Sequence, residues 1–187
     1  MQAVTDADAE LMLRVSRGDR QAFAQLFDRH QQRVVRFCYR FTGDRSRAEE
    51  LAQDTFVRLY RSADRYQPRA KFSTYLFHIA TNLCLNAQRG AKARPDTGVD
   101  DGPSVFERQA DAATPESSLE ARDVEAAVQR ALVGMSERER AAFAMARFEG
   151  LPYRDIAEAL EASEAAIKSL IHRASLQVAA QLDALNT

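Results

Sequence analysis

Apolar residues recur at every third or fourth position over most of the chain, and no segment shows the alternation of a β-strand. This spacing predicts helices throughout. Residues 1–90 contain four such segments, separated by residues that favour helix ends. The predicted helices run from Asp6 or Asp8 to Gly18, from Asp19 to about Thr42, from a Ser46–Glu49 capping box onward, and from Ser73 or Thr74 to about Gly90.

Residues 91–122 interrupt this pattern, because they are rich in proline, glycine and acidic residues. Such a composition is typical of a flexible linker. The helical pattern resumes at about Asp123, with a capping box at Ser136 and Glu139 and a helix end at Gly150. The sequence therefore predicts an all-α fold, in which two small helical domains (1–90 and 123–187) are joined by a flexible acidic linker (91–122).

The last two predicted helices, in residues 151–174, have the spacing of a helix-turn-helix. Pro152 suits the first turn of the first helix, and Ser163 followed by Glu164 suits the start of the second. In the second helix the apolar stripe is Ile167, Leu170, Ile171, Ala174 and Val178, and the polar stripe is Glu164, Lys168, His172 and Ser175, with Ser169 and Arg173 beside it. A helix-turn-helix places its second helix in the DNA major groove. Periodicity alone also fits an amphipathic hairpin whose polar face contacts only water.

The net charge of −1 is distributed unevenly along the 187 residues. Residues 1–90 hold 15 Lys and Arg against 10 Asp and Glu, a net charge of +5. Residues 91–122 (4 against 7) and 123–187 (7 against 10) each carry −3. Neutralisation of phosphates supplies much of the affinity of a protein for DNA. An acidic C-terminal domain should therefore bind DNA weakly unless the other domain or a partner helps it.

The sequence contains no Gly-rich phosphate loop, nucleophile elbow or H-E-x-x-H motif. Cys38 and Cys84 are isolated in apolar helical segments and are predicted to be buried thiols. The three histidines (His30, His78 and His172) have no metal-ligand spacing. We therefore predict no enzyme activity, no catalytic residue, no cofactor and no metal site.

No apolar run approaches the length of a membrane span. The acidic N-terminus lacks the basic and apolar regions of a signal peptide. We expect a cytoplasmic protein without membrane insertion.

Five segments occur in a characteristic order over about residues 8–90 and 123–180. They are D-A-E-L-M-L-R-V-S-R-G-D-R-Q-A-F-A-Q-L-F-D-R-H, A-E-E-L-A-Q-D-T-F-V-R-L-Y-R, F-S-T-Y-L-F-H-I-A-T-N-L-C-L-N, M-S-E-R-E-R-A-A-F-A-M-A-R-F-E-G-L-P-Y-R-D-I-A-E-A-L and I-K-S-L-I-H-R-A. Each segment is weak alone, but five in this order around a linker are specific. In this respect the chain resembles the bacterial extracytoplasmic-function (ECF) sigma factors, group IV of the sigma-70 family of RNA polymerase subunits.

The resemblance implies a protein that binds core RNA polymerase at the clamp helices of its largest subunit and at its flap. It also implies recognition of −35 and −10 elements in promoter DNA and control by an anti-sigma factor. The residues implied at the polymerase are Glu50, Gln53, Asp54, Phe56, Leu59 and Tyr60, of which Phe56 and Leu59 fit a buried core about equally well. Those implied at the −10 element are Tyr66, Arg69, Lys71, Phe72, Asn82 and Asn86. Those implied at the −35 element are Arg154, Ser163, Glu164, Lys168, Ser169, His172 and Arg173.

Three positions depart from the family pattern. Leu170 and Ser175 stand where basic residues are common, and Glu161 stands where a turn glycine is expected. Leu170 and Glu161 keep open a sigma-like decoy, which would bind an anti-sigma factor without reading DNA. A one-component helix-turn-helix regulator, with a ligand-sensing N-terminal domain, is the other alternative.

Overall fold

The computed structural model describes residues 6–93 and 115–185, and all regular structure within these ranges is helical. The helices are α1 (Ala7–Val15), α2 (Arg20–Thr42), α3 (Arg45–Arg61), α4 (Phe72–Ala93), α5 (Pro115–Gly134), α6 (Glu137–Arg147), α7 (Tyr153–Ala159) and α8 (Glu164–Asp183). A 3₁₀ helix at Ala63–Arg65 follows α3. The predicted all-α fold is confirmed.

Aspartate caps set the starts of the first two helices, as predicted. The Asp6 side chain accepts the Asp8 N–H at 3.1 Å, and Asp19 accepts the N–H groups of two residues in the first turn of α2. Gly43 adopts a φ of +67° and ends α2 after Thr42. A left-handed residue after the last turn is the commonest way to end a helix, and glycine adopts it without a steric penalty.

The predicted capping box of α3 is wrong. Asp44 caps this helix, and its side chain accepts the Arg47 N–H at 2.8 Å. Ser46 lies inside the first turn, and Glu49 pairs with Arg45 at 3.2 Å. Asp44 takes the capping position because it is the first extended residue after the left-handed glycine.

The predicted linker bounds were too wide at both ends. Helix α4 continues to Ala93 and α5 begins at Pro115, so residues 91–93 and 115–122 are helical. Pro115 starts a helix because the missing proline N–H costs nothing in a first turn. The rest of the predicted linker, residues 94–114, lies outside the described residues.

A core of large apolar side chains lies where α2, α3 and α4 meet. Its fully buried members include Leu26, Phe37, Phe41, Leu59 and Phe77. The ring centroids of Phe37 and Phe77 lie 5.0 Å apart, which joins α2 to α4. Burial of each such side chain contributes about 1.5–3 kcal/mol relative to exposure. This packing holds the three long helices together.

The two cysteines lie in the same core as free, fully buried thiols, which confirms the prediction for both. A hydrogen bond with Cys38 and burial together raise the pKa of the Cys84 thiol well above its ordinary value. The thiol of Cys84 therefore stays protonated at neutral pH.

The C-terminal helices pack α8 against α5, α6 and α7. Ser136 and Glu139 form the predicted capping box at the start of α6, and Ser163 caps α8 by accepting the Ala166 N–H at 3.1 Å. Pro152 is the N-cap of α7 and not, as predicted, a residue of its first turn. The apolar stripe of α8 is directed inward as predicted: Ile167, Ile171 and Ala174 are buried, and Leu170 and Val178 are half-buried.

The turn between α7 and α8 forms without glycine. Glu161 adopts the left-handed conformation, with a φ of +48°. The guanidinium of Arg138 donates to the Leu160 carbonyl at 2.7 Å, which satisfies a carbonyl at the end of α7. Contacts around the turn thus hold a backbone conformation that glycine would adopt more readily.

Helices α2 and α4 also contact α5 and α6. Arg140 donates to the Phe41 carbonyl, and the Gln129 amide donates to the Tyr39 carbonyl at 3.2 Å. Both carbonyls belong to the last turn of α2, and that of Tyr39 also accepts the Gly43 N–H at 2.8 Å. The N-terminal and C-terminal helices therefore share a polar contact surface.

We predict that Glu161→Gly stabilises the protein by about 1 kcal/mol, because an L-residue in the left-handed region costs about that much. Thermal unfolding followed by circular dichroism measures the change. The control is Glu158→Gly, at an exposed position inside α7, which should destabilise by about 1 kcal/mol. A lower melting temperature for Glu161→Gly would contradict the strained turn.

Candidate nucleic-acid interface

Helix α8 exposes the polar residues predicted on its outer face except Ser175, which is half-buried. Lys168, Ser169, His172 and Arg173 are exposed, while Ile167 and Ile171 of the same helix are buried. Ser163 and Glu164 at the start of α8 and Arg154 in the first turn of α7 are also exposed. Cations and hydroxyls on one helix face can donate to phosphates and to base edges.

Two side chains of this face are held by contacts within the protein. The Arg173 guanidinium donates to Glu139 Oε1 at 2.7 Å, and the Ser169 hydroxyl donates to the Ala165 carbonyl at 3.1 Å. Arg173 and Ser136 lower the pKa of Glu139 by hydrogen bonding to its carboxylate. Arg173 is therefore oriented by α6, whereas Lys168 and His172 project from α8 into solvent.

Two of the three departures from the family pattern lie in α8, and each has a local structural consequence. Leu170 is half-buried and packs on the core, and the Ser175 hydroxyl donates to the Ile171 carbonyl at 2.8 Å. Neither side chain supplies a positive charge to the exposed face. Its basic residues are thus Lys168, His172 when protonated, and the partly engaged Arg173.

Helix α4 carries a second exposed polar face. Asn82 and Asn86 are both exposed and lie one turn apart. Arg69 and Lys71, in the segment that leads into α4, are exposed as well. An amide offers a paired donor and acceptor to a base edge, and the two cations suit phosphates.

The predicted aromatic contacts of this second face are not at the surface. Phe72 is fully buried and Tyr66 is 7% exposed. The Tyr66 ring lies 5.1 Å from that of Tyr75, and Phe72 lies 5.4 Å from the His30 ring. The predicted base contacts of Tyr66 and Phe72 need correction, because both rings pack in the core and are not exposed for stacking on bases. Burial, the largest cause, raises the pKa of Tyr66 to about 12.

The start of α4 is anchored from a distant part of the chain. The Phe72 N–H donates to Asp6 Oδ2 at 2.6 Å, so a residue that caps α1 also holds the first turn of α4. Asp8 beside it pairs with His30 and with Arg29, each at 2.7 Å. Burial acts to raise the pKa of Asp8, but these two partners outweigh it and the net shift is downward. The N-terminal helix therefore fixes the segment that carries Arg69 and Lys71.

An open apolar groove of about 400 Å³ lies between α2 and α3. Its lining includes Phe23, Phe27, Phe56, Val57 and Tyr60. Val57 is 47% exposed and Tyr60 is 45% exposed. Exposed apolar side chains that cluster around a groove are a common feature of protein interaction surfaces.

Most residues predicted at the polymerase surround this groove or lie beside it. Gln53 lines the groove, and Glu50 and Asp54 are exposed on the same helix. Phe56 is 3% exposed and forms the floor. Leu59 is fully buried, so the structure places it in the core and corrects its predicted contact role.

Several candidate residues were missed by sequence reasoning. Phe23, Phe27 and Val57 follow the apolar spacing of their helices, and that spacing cannot distinguish a core position from a groove wall. Glu139 was noted only for the capping box of α6 and Arg138 was not noted, although Arg138 holds the turn and Glu139 holds Arg173. These contacts join residues that are 22 and 34 positions apart in the sequence, so no local sequence pattern predicts them.

Among the described residues no helix is long and apolar enough to span a membrane. The same part of the chain contains no group of three or more His, Cys, Asp or Glu side chains that could hold a metal ion.

Comparison with known proteins identifies the class of protein to which this arrangement belongs. Residues 26–94 match the family model of sigma-70 region 2, and residues 125–178 match that of sigma-70 region 4. The chain is 33% identical over 181 residues to the ECF RNA polymerase sigma factor SigM of Mycobacterium tuberculosis, an alignment that covers 97% of this chain and 87% of that protein. The chain belongs to the ECF sigma factors.

Solved structures share the fold. The structure of CnrH in complex with the cytosolic domain of CnrY matches this chain with a TM-score of 0.68 and 24% sequence identity. The match covers 96% of this chain and 99% of CnrH. The sigma factor RpoE of Bartonella quintana, solved with the anti-sigma factor NepR, has a TM-score of 0.62 and 19% identity. This second match covers 86% of this chain and 96% of RpoE.

We predict that Arg173→Ala raises the pKa of Glu139 toward its ordinary value of 4.5, because the substitution removes the largest cause of the downward shift. Carboxyl NMR titration of Glu139 measures this. Lys168→Ala, on the same face of α8, should leave the pKa unchanged. An unchanged value in Arg173→Ala would mean that Arg173 does not pair with Glu139 in solution.

Proposed function

We propose that this sigma factor binds core RNA polymerase, directs it to −35 and −10 promoter elements and opens the DNA for transcription. The observation that carries the proposal is the exposed polar face of α8 on a helix-turn-helix whose opposite face is buried. A regulatory subunit of this kind has no catalytic residue or cofactor of its own. It works in the cytoplasm, where the polymerase is.

We assign the −35 element to α8 and its approaches. Lys168, His172 and Ser169 would contact base edges or nearby phosphates, and Arg154 in the first turn of α7, with a side chain 78% exposed, would contact a phosphate. Ser163 and Glu164 lie at the N-terminus of the same helix. Because the C-terminal region carries a charge of −3, its own affinity is low, and attachment to the polymerase supplies the effective concentration it needs.

We assign the −10 element to α4 and the segment before it. Asn82 and Asn86 would bind base edges, while Arg69 and Lys71 would hold the strand by its phosphates. Tyr66 and Phe72 support this surface from beneath and do not stack on bases.

The groove between α2 and α3 is our candidate for the clamp helices of the polymerase. Its exposed aromatic and aliphatic side chains supply an apolar centre, and Gln53, Asp54 and Glu50 supply a polar rim. The flap is proposed as a further contact of the C-terminal helices. Control by an anti-sigma factor is supported by the fold shared with RpoE, which was solved with such a partner.

Reconstitution with core polymerase tests the function. The purified protein should start transcription from a subset of promoters in a genomic library. Lys168→Ala should weaken −35 engagement, and Asn82→Ala should reduce −10 opening, each about tenfold for the loss of one good base contact. Both variants should still bind core, since neither residue lies at the groove.

Other outcomes support the alternative functions. Core binding without opening of any promoter would contradict the proposal and favour a decoy that binds an anti-sigma factor. Tight, sequence-specific DNA binding without core would favour a one-component regulator. Loss of core binding in both variants would show that Lys168 and Asn82 are structural residues.

The groove generates a separate prediction. Tyr60→Ala should weaken binding to core polymerase about tenfold or more, because a half-exposed aromatic residue at an apolar centre is a typical hot spot. Fluorescence anisotropy with labelled protein measures the affinity. Gln25→Ala, on an exposed face of α2 outside the groove, is the control. Equal affinities for both variants would rule the groove out as the docking surface.

A further inference from the structure

Three arginines form a stripe along one face of α2. Arg33, Arg36 and Arg40 are spaced by three and four residues, so they lie on the same side of the helix. At 1.5 Å per residue they span about 10 Å, which equals the rise of about three phosphates of one strand along the axis of B-DNA. We call these three residues the arginine stripe.

A carboxylate from the C-terminal helices already occupies this stripe. Glu149 Oε2 lies 2.9 Å from an Arg33 nitrogen, and Oε1 lies 4.0 Å from an Arg40 nitrogen. The Glu149 side chain is only 3% exposed. The Arg40 guanidinium lies 3.7 Å from the centre of the Phe148 ring. The stripe therefore binds an oxyanion within the folded chain.

The position of Glu149 has an energetic cost. Burial raises the pKa of its carboxyl group, although the charges of Arg33, Arg40 and Arg36 act in the opposite direction. The three arginines thus do not fully offset the loss of hydration.

The docked arrangement also cannot persist when both promoter elements are bound. Thr74 at the start of α4 donates to Asp155 of α7 at 2.9 Å, so the helix that carries the candidate −10 reader is in contact with the helix-turn-helix. Elements centred about 25 base pairs apart are separated by about 85 Å along B-DNA. The C-terminal helices must therefore leave α2, which uncovers Arg33 and Arg40.

We propose that the arginine stripe is a binding surface for the phosphates of promoter DNA, and that Glu149 occupies it until the C-terminal helices move to the −35 element. This inference rests on the proposed promoter recognition. DNA is favoured over an acidic protein because the stripe belongs to the same basic region, of net charge +5, as the proposed −10 reader. The Arg33 guanidinium lies 5.4 Å from the centre of the Phe77 ring, on the face of α4 that packs on α2 and is turned away from Asn82 and Asn86.

The test compares Glu149→Lys with Glu158→Lys in the full-length chain without polymerase. Both add the same charge to the C-terminal region, but only residue 149 faces the stripe, since Glu158 is exposed on α7. Fluorescence anisotropy with a labelled duplex of about 20 base pairs should show binding several-fold tighter for Glu149→Lys. Its salt dependence should be steeper by about 1 to 2 in log–log slope, because the uncovered stripe neutralises one or two additional phosphates.

Further variants show whether the tighter binding comes from the stripe. Adding Arg33→Ala, Arg36→Ala and Arg40→Ala to Glu149→Lys should return the affinity to the wild-type level, and circular dichroism checks that each variant is folded. If the charge reversal prevents folding, Glu149→Ala against Glu158→Ala makes the same comparison. Equal affinities of the two glutamate variants, or tighter binding that survives loss of the arginines, would overturn the proposal. So would tighter binding of a poly-glutamate peptide of equal charge, which would indicate an acidic protein partner.

Run-off transcription with core polymerase separates the two proposals. If the wild-type chain supports transcription but the two glutamate variants bind DNA equally well, the role of the stripe is overturned and the promoter function stands. A stripe-dependent increase in DNA affinity, in a chain that never supports transcription, would overturn the promoter function and keep the phosphate surface.

Discussion

The positive charge of Arg140 is buried, so it has to be balanced by hydrogen-bond acceptors inside the protein. The packing of α6 on α2 and α5 depends on these acceptors. Arg140 is 6% exposed, and its guanidinium donates to the carbonyls of Phe41, Val133 and Met135. These carbonyls lie at the ends of α2 and α5, where unpaired helix carbonyls carry partial negative charge. Burial lowers the pKa of Arg140, yet a guanidinium remains ionised in a protein. Removing partners from a buried charge costs several kcal/mol, so one side chain ties α6 to both helices.

Opposite charges along the chain are consistent with this packing. The N-terminal region carries +5 and the C-terminal region −3, and the docked surface joins arginines of α2 to Glu149. An acidic helix-turn-helix is a poor DNA binder alone, but it suits a domain that docks on a basic neighbour when DNA is absent. In an ECF sigma factor the polymerase brings two such readers to one promoter, so neither has to bind tightly by itself.

Local patterns predicted the helices well and their exact caps less well. Asp19 and Gly43 start and end α2 through contacts within one turn, so the sequence predicts both. Asp44 and Ser46 both offer a capping side chain for α3, and only the path of the backbone selects Asp44. Pro115 lies in a segment whose composition is typical of a linker, but it occupies the first turn of α5. Glu161 takes a glycine-like conformation because Arg138 secures the carbonyl before it, a contact between residues 22 apart.

Sequence alone determined the all-α class, the order of the helices, the sigma factor family and the polar face of α8, because apolar periodicity and family motifs are local properties. Only tertiary structure decided which members of each apolar stripe are core and which are surface. It buried Tyr66, Phe72 and Leu59, and it left Tyr60 and Val57 exposed around a groove. It also brought Glu149 to Arg33, 116 residues away in sequence. Burial depends on which helices meet, and that is a property of the whole packed chain.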